Sequence, residues 1–281
     1  MPEGPEIRLA ADRLKRVLDG RVALQVRFAK DKFPALQAVG RRLSGRTVRL
    51  VEPRGKAMLT HFDNGLTIYS HNQLYGEWAI YHGHLAQDIA AATRQVRLCI
   101  TTARHSAVLY SASEIEVLAS SAIDAHPYIA RLGVELLEPE VTQDDVLAQI
   151  NQARFARRNL AALLLDQGFL AGIGNYLRSE ILFCSRLHPD VRIGALTQQQ
   201  KAALARAALT LTRRAYRTHG VTCSPALAQQ LKARGWRYDQ YRHWVFDRAD
   251  APCHVCATVI RRLEAAGRGL YLCDHCQPSA T

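Results

Sequence analysis

The chain has 281 residues, 48% of them hydrophobic and 22% charged, a composition typical of globular proteins rather than disordered ones. At roughly 100–200 residues per domain, this length predicts two domains with room for a small appendage. Lys and Arg number 37 against 25 Asp and Glu, and the net charge of +12 favours a polyanionic partner such as nucleic acid. No stretch reaches the ~18 uncharged apolar residues of a membrane span. The N-terminus also lacks the features of a secretory signal, so we expect a cytoplasmic protein without membrane contact.

The first part of the chain predicts one helix followed by antiparallel strands. Apolar residues recur every three or four positions from Ile7 to Leu18, and Gly20 is placed to end this helix. Between Val22 and Tyr110, β-prone runs at 46–51, 66–69 and 95–100 alternate with turn signals. This spacing favours an antiparallel β-sandwich or barrel that is capped by the helix.

The chain becomes helical after about Pro127 and ends in a small β unit. Predicted helices cover Thr142–Gln152, Phe155–Asp166, Tyr176–Ser185 and Thr197–Tyr216. Thr142 is expected to cap the first of these helices, without the Glu that completes a capping box. For 219–239 we expect a long loop with a short helix. The prediction is an α+β multidomain fold with domains at 1–125, 126–240 and 241–281.

Two cysteine pairs near the C-terminus predict a structural zinc site. Cys253 and Cys256 form one C-x-x-C pair, Cys273 and Cys276 form the other, and 16 residues separate the pairs. Each pair presents two sulfurs from one tight turn, and four thiolates close a tetrahedral zinc shell. A redox-active pair is the competing interpretation, but it would require a single pair in a βαβ context. Arg268, between Gly267 and Gly269 in the intervening hairpin, is either a phosphate-binding guanidinium or a solvated turn residue.

The N-terminus carries groups suited to covalent chemistry. If Met1 is removed, Pro2 becomes a secondary amine with a pKa near 8, and attack on a sugar C1′ gives an iminium that is a strong electron sink. Glu3 and Glu6 stand within one helical turn of this amine as acid/base partners. The alternative is that Pro and Glu are here only as ordinary first-turn residues of a helix.

Four separated motifs occur in order along the chain: 1–7 (MPEGPEI), 53–57 (PRGKA), 169–177 (FLAGIGNYL) and the terminal cysteine pairs. This combination resembles the formamidopyrimidine-DNA glycosylase/endonuclease VIII family of base-excision repair enzymes, from residue 1 to Cys276. Gly4 and the run 69–76 (YSHNQLYG) are similar to the endonuclease VIII branch. The stretch 219–239 is longer than in that branch, and the purine branch uses a loop in this region to hold its lesion.

The resemblance implies roles for the N-terminal residues and for one lysine. Pro2 would be the Schiff-base nucleophile, Glu3 the general acid that opens the deoxyribose, and Glu6 a support for the same site. Lys56, in a β-hairpin turn after Gly55, would reach the damaged nucleotide and its phosphate. The alternative interpretation is that Lys56 is an ordinary surface lysine.

The resemblance also implies a DNA-binding surface. Gln73, Leu74 and Tyr75 would fill the gap left by a flipped-out base, although Leu74 and Tyr75 could instead be core residues. Gly172–Asn175 would be the turn of a helix–two-turn–helix domain. Its glycines would let the backbone come close to the DNA, and Asn175 would bind phosphate or be merely a helix cap. Arg268 would hold phosphate from the zinc ribbon.

The implied activity is excision of oxidised pyrimidines from damaged double-stranded DNA, followed by β,δ-elimination, by a monomer with one structural zinc ion. Three alternatives remain open: an oxidised-purine glycosylase, a non-catalytic protein that binds damaged DNA, and a zinc-ribbon protein of transcription or RNA binding. The presence of Pro2, Glu3 and Lys56 argues against loss of the reaction.

Overall fold

The computed structural model describes residues 2–83 and 95–279, and the expected removal of Met1 lies outside these residues. The chain divides into two compact units. The first contains Pro2 and Ile7–Ala130, and the second contains Glu3–Glu6 and Arg131–Thr281.

Among its described residues, the first unit contains two α-helices and two antiparallel sheets. The helices are α1 (Gly4–Leu18), whose first three residues belong to the second unit, and α2 (Gln37–Leu43). The strands are β1 (Val22–Ala23), β2 (Gln25–Phe28), β3 (Arg46–Arg54), β4 (Ala57–Phe62), β5 (Leu66–His71), β6 (Glu77–His82), β7 (Val96–Thr101), β8 (His105–Tyr110) and β9 (Glu114–Ala119). One sheet has the order β1-β3-β4-β5-β9 and the other β2-β7-β8-β6. The predicted first helix, the three β-prone runs and the sandwich of antiparallel sheets are confirmed.

Helix α1 belongs to the core of this unit because its apolar residues fall on one face. Ile7, Ala11, Leu14 and Leu18 are all buried, in one cluster with side chains from both sheets. Gly20, at φ +69°, follows the end of the helix as expected. The β3–β4 hairpin closes with Arg54 opposite Ala57, so residues 55 and 56 form its turn.

The second unit is mainly helical. Its helices are α3 (Gln143–Ile150), α4 (Leu160–Leu163), α5 (Asn175–Cys184), α6 (Gln198–Arg217), α7 (Pro225–Ala233) and α8 (Tyr238–Tyr241). Short parallel strands β10 (Val134–Glu135) and β11 (Leu170–Ala171) pair with each other, and β12 (Arg261–Ala265) forms an antiparallel hairpin with β13 (Arg268–Leu272). Leu270 and Leu272 of β13 join the helical core. Among the described residues, the helices are too short or too polar to cross a membrane.

The predicted helix over Phe155–Asp166 is wrong. A 3₁₀ turn covers Ala153–Phe155, and the helix α4 that follows has only four residues. Asn159 is extended and caps α4 by accepting from the Ala162 N–H, so a continuous helix cannot pass through it. The side chain of Asp166 accepts from the Gly168 N–H and stabilises a turn just beyond the helix.

Two other helical details differ from or refine the predictions. Thr142 does cap α3, but the capping box is complete because Asp145 takes the place of the expected Glu. Within 219–239 the expected short helix is α7, which Ser224 caps and Pro225 begins. A small apolar cluster that includes Val221, Leu231 and Tyr241 packs this segment.

Candidate active site

The carboxylate of Glu3 lies at the N-terminus of helix α5. It accepts hydrogen bonds from the backbone N–H groups of Gly174 (2.7 Å), Tyr176 (2.8 Å) and Leu177 (3.2 Å), and its side chain is 2% exposed. The first N–H groups of a helix have no partner within the helix, and its positive end attracts anions. Glu3 therefore satisfies donors that α5 itself leaves unpaired, and it is fixed in place by them.

Two glycines of the central motif make room for Glu3. A Cβ on Gly174 would lie 2.4 Å from Cδ of Glu3, a separation that no real side chain tolerates. Gly172 has φ +89°, and its carbonyl accepts from the Gly4 N–H at 2.8 Å. The sequence interpretation assigned these glycines to close approach of DNA, and the structure adds close approach of Glu3.

Glu6 belongs to the same arrangement. Its carboxylate accepts the Glu3 N–H at 2.9 Å and the Tyr176 hydroxyl at 3.0 and 3.3 Å. Burial raises the pKa of Glu6 above its usual value, and these hydrogen bonds oppose that shift. Burial raises the pKa of Tyr176 well above the normal range, so its hydroxyl is a donor at neutral pH. The sequence interpretation overlooked Tyr176, because no spacing signal links it to residue 6.

Lys56 is a buried side chain and not the surface lysine of the alternative interpretation. It is 7% exposed, in the turn between β3 and β4. Its backbone N–H donates to the hydroxyl of Tyr128 at 2.8 Å, and Gly55 before it has φ +59°. Tyr128, distant in sequence, was also missed.

The 73–75 segment projects into solvent between β5 and β6. Leu74 is 51% exposed and Tyr75 is 75% exposed, so the alternative that they are core residues is wrong. Gln73 anchors the segment with a left-handed backbone (φ 54°) and a 2.6 Å hydrogen bond from its amide to Glu114. Two exposed apolar side chains on a fixed turn are suited to insertion into an apolar gap.

Asn175 connects helix α5 to the C-terminal hairpin. Its amide Nδ2 donates to the Gly269 carbonyl at 2.8 Å, and its Oδ1 accepts from Arg178 at 2.6 Å. The helix cap is Gly174 and not Asn175, so the interpretation of Asn175 as a helix cap is wrong.

Arg178 is completely buried, with its pKa lowered to about 10 mainly by burial, and it also donates to the Ala265 carbonyl. Arg268 is exposed at the start of β13, one residue before the carbonyl that Asn175 binds.

The four cysteines form one metal site. The sulfurs of Cys253, Cys256, Cys273 and Cys276 all lie within 4.8 Å of one another. Zn–S bonds of about 2.3 Å in a tetrahedron place the sulfurs about 3.8 Å apart. The separations Cys253–Cys276 (4.0 Å), Cys256–Cys273 (3.4 Å) and Cys256–Cys276 (3.6 Å) fit this geometry. A closed shell of four thiolates makes the predicted zinc ion structural, and the redox interpretation is not needed.

The predicted site residues thus fall into groups within each unit. Glu3 and Glu6 meet at the start of α5, and Asn175 lies beside the hairpin that carries Arg268. In the first unit, Lys56 contacts Tyr128, and 73–75 form an exposed turn. Pro2 directly precedes Glu3, whose own N–H is fixed by Glu6.

Family models match three parts of the chain. They are the formamidopyrimidine-DNA glycosylase N-terminal domain at residues 1–112, the formamidopyrimidine-DNA glycosylase H2TH domain at 132–225, and the zinc finger found in FPG and IleRS at 251–278. The N-terminal proline and carboxylates, the two-turn motif and the zinc ribbon therefore define a protein of the DNA glycosylase class.

Relatives match along the whole chain. Endonuclease 8 of Salmonella arizonae and Endonuclease 8 of Escherichia coli O17:K52:H18 are each 41% identical over 277 residues, covering 99% of this chain and 100% of theirs. The chain belongs to the formamidopyrimidine-DNA glycosylase/endonuclease VIII family. Lactococcus lactis Fpg in complex with abasic-site DNA has the same fold, with a TM-score of 0.80 and 16% identity over 99% of this chain and 100% of that one. The same enzyme in complex with DNA that contains an oxidised pyrimidine has a TM-score of 0.80 and 17% identity, again over 99% of this chain and 100% of that one.

Proposed function

We propose that this protein is a DNA glycosylase with AP lyase activity that removes oxidised pyrimidines from damaged double-stranded DNA in base-excision repair. The observation that carries the proposal is the arrangement at the chain start, where Glu3 and Glu6 are both fixed at α5 directly after Pro2. Relatives named Endonuclease 8 match over their full length. The exposed Gln73-Leu74-Tyr75 turn is of the kind that fits the endonuclease VIII branch.

The chemistry begins with the Pro2 amine. Its lone pair forms a bond to C1′ of the damaged nucleotide, and the glycosidic bond breaks, so that the base leaves with its electron pair and takes up the proton that the amine nitrogen loses. Glu3 donates a proton to the ring oxygen O4′ as the sugar opens to the iminium. Glu6, which holds the Glu3 N–H, supports the same site.

The iminium then drives strand cleavage. It withdraws electrons from C1′, the C2′ proton is lost, and the 3′ C–O bond breaks as the phosphate leaves. A second elimination releases the 5′ phosphate and leaves a one-nucleotide gap. These steps require only the amine and groups that move protons, so the zinc ion serves to hold the hairpin that carries Arg268.

DNA contacts come from both units. Lys56, Asn175 and Arg268 bind phosphates around the lesion, with Arg268 offered on a hairpin that Asn175 and the zinc site stabilise. Gln73, Leu74 and Tyr75 fill the gap in the base stack. Because both polar atoms of the Asn175 amide already bind Gly269 and Arg178, its contact with phosphate requires one of these bonds to be exchanged.

Three further assignments complete the proposal. The functional division of the chain is 1–125, 126–240 and 241–281. The protein acts as a monomer. It works in the bacterial cytoplasm, associated with the nucleoid through DNA.

The alternative within the family is an oxidised-purine glycosylase, favoured only by the ordered segment that contains α7. The test is to incubate the untagged protein with duplexes that carry dihydrouracil, thymine glycol or 8-oxoguanine under single-turnover conditions. Faster excision of the two pyrimidines, with phosphate at both ends of the gap, supports the proposal. Faster excision of 8-oxoguanine assigns the protein to the purine branch. Binding to all three duplexes without cleavage leaves a non-catalytic protein.

A further inference from the structure

Tyr176, in the first turn of α5, contacts both N-terminal carboxylates through different atoms. Its backbone N–H donates to Glu3 at 2.8 Å, and its hydroxyl donates to both oxygens of Glu6, at 3.0 and 3.3 Å. Glu6 in turn accepts the N–H of Glu3, which belongs to the peptide group that follows Pro2. One residue therefore connects the two carboxylates and the peptide bond beside the nucleophile.

The Tyr176 ring is fixed by aromatic packing. It stacks on His243 with the ring centroids 5.2 Å apart and the planes at 28°, and the edge of Phe246 lies 6.2 Å away. Only 9% of the residue is exposed. The hydroxyl is therefore placed by a rigid ring rather than by a side chain that can rotate freely.

Glu180, one turn further along α5, holds the segment that supplies this packing. Its fully buried carboxylate accepts the backbone N–H groups of residues 244, 245 and 246 at 2.8–2.9 Å. The Thr222 hydroxyl also donates to Glu180 and lies 3.0 Å from Nδ1 of His243. A continuous set of buried contacts thus runs from Glu180 through His243 and Tyr176 to Glu6.

We propose that Tyr176 is a positioning residue for the reaction, which holds Glu6 by its hydroxyl and Glu3 by its backbone N–H in the geometry that the Pro2 amine requires. This inference rests on the proposed function, because it assigns the residue a role in that reaction. Tyr176 acts through the carboxylates and does not itself touch DNA.

The hydroxyl also affects the proton affinity of Glu6. Besides Tyr176, the groups that act on this carboxyl are the backbone N–H groups of Glu3 and of Glu6 itself and the charge of Arg242, and all of them lower its pKa against the effect of burial. Removing the hydroxyl takes away one of the hydrogen bonds that lower the pKa of Glu6. The carboxyl then takes up a proton at higher pH, and the ionised form becomes scarcer in the acidic range.

The test compares Tyr176→Phe, which keeps the ring and the backbone N–H, with Tyr81→Phe, which removes a hydroxyl that lies 3.0 Å from that of Tyr110. Single-turnover rates are measured on duplexes with dihydrouracil and with an abasic site, and binding is measured on a duplex with a tetrahydrofuran abasic analogue. We expect Tyr176→Phe to react about tenfold more slowly on both substrates, as for loss of one hydrogen bond to a charged group. Its Kd and its unfolding temperature should stay close to those of Tyr81→Phe. The acidic limb of its pH–rate profile should move to higher pH.

Two further variants test whether Tyr176 acts through Glu6. In a Glu6→Gln background, Tyr176→Phe should cause no additional loss of rate. Placing 3-fluorotyrosine at position 176 makes the hydroxyl a stronger donor without altering the packing, and should move the acidic limb to lower pH. It also keeps the test decisive if Tyr176→Phe does not fold.

An unchanged rate for Tyr176→Phe would overturn the inference. It would also be overturned if Tyr176→Phe lost as much rate in the Glu6→Gln background as in the wild type, or if the substitution changed only Kd. If Tyr176→Phe does not fold, an acidic limb that does not move with 3-fluorotyrosine at position 176 would overturn it instead. A wild-type protein that does not cleave abasic DNA would overturn the proposed function, and this inference with it. An active wild type with an unaffected variant would overturn this inference alone.

Discussion

Glu3 and Tyr176 are 173 positions apart in the sequence, yet the Glu3 carboxylate accepts the Tyr176 backbone N–H at 2.8 Å. The contact places the first acidic residue of the chain against the positive end of helix α5. It makes the position of residues 3–6 depend on a helix of the same unit, and several expected outcomes follow from it.

Glu3→Gln should abolish base excision while leaving DNA binding largely intact. The amide has no acidic proton to donate to O4′, and its NH₂ group faces the N–H donors of α5. We expect a loss of at least about 100-fold in single-turnover excision and about 1 kcal/mol of stability from the weakened cap. Glu140→Gln, an exposed carboxylate in the same unit, is the control and should change neither quantity.

Gly174→Ala should impair the reaction although it replaces no catalytic side chain. The new Cβ would lie 2.4 Å from Cδ of Glu3, so the carboxylate must move off the α5 terminus. Overpacking of this kind costs about 1–3 kcal/mol, measurable by urea denaturation. Gly65→Ala, where a Cβ meets no atom within 4 Å, should lose some stability from its φ of +77° but keep its excision rate. Equal excision rates for the two variants would contradict this explanation.

Tyr75→Ala should reduce excision without affecting folding. The side chain is 75% exposed, so its removal should change the stability by less than about 0.5 kcal/mol. Loss of one stacking contact predicts about tenfold slower excision from a duplex. The effect should be smaller on single-stranded DNA, where no gap has to be filled. Leu24→Ala, which removes another half-exposed apolar side chain of the same unit, should leave excision unchanged.

Cys253→Ser should release zinc and weaken DNA binding. The serine breaks a shell of four thiolates, and the hairpin that carries Arg268 loses its support. Zinc content by mass spectrometry and Kd for abasic-analogue DNA should change together. Cys184→Ser, at an exposed cysteine outside the cluster, should keep one zinc ion per chain. A zinc-free Cys253→Ser protein with unchanged affinity would show that the hairpin does not depend on the metal.

His243 should make the protein less stable in mild acid. Burial and the charges of Arg242 and Arg248 lower the pKa of His243 to about 3, so the folded protein keeps this ring neutral where the unfolded chain protonates it. The folded pKa is depressed below the ordinary value of 6.5, so the unfolded state binds more protons between these pH values. The free energy of unfolding should therefore fall by about 1.4 kcal/mol per pH unit as the pH drops from about 6.5 towards 3.

Burial raises the pKa values of the carboxyls of Glu6 and Glu180. Their effect on the free energy of unfolding at acidic pH therefore has the opposite sign to that of His243. The comparison of the wild type with His243→Asn isolates the histidine. The variant should be less stable at neutral pH, because it loses the stacking on Tyr176, but it should show a shallower loss of stability between pH 6.5 and 5. Parallel curves for the two proteins would contradict the assignment.

The sequence predicted most accurately the features that local patterns determine. The periodicity of α1, the spacing of the four cysteines and the turn at Gly55 and Lys56 all depend on nearby residues. The helix predicted over Phe155–Asp166 failed because the side chains of Asn159 and Asp166 compete for backbone groups, which apolar periodicity does not register.

The features that were missed depend on distant contacts. The glycine motif was assigned to the approach of DNA, whereas Gly174 also makes room for a carboxylate 171 positions away. Tyr176 and Tyr128 gave no signal because their hydroxyls bind groups that only the fold brings near. The burial of Lys56 was likewise invisible, since an isolated lysine in a turn is usually exposed.

Borohydride trapping tests whether Pro2 is the nucleophile. The untagged protein, with Met1 confirmed absent by mass spectrometry, is mixed with duplex DNA that carries dihydrouracil or an abasic site and is reduced during the reaction. We expect a covalent complex whose cross-linked peptide carries the sugar on Pro2, and no complex when a tag precedes Pro2 and acylates its amine. A cross-link mapped to a lysine, or none from a protein with a free Pro2, would contradict it.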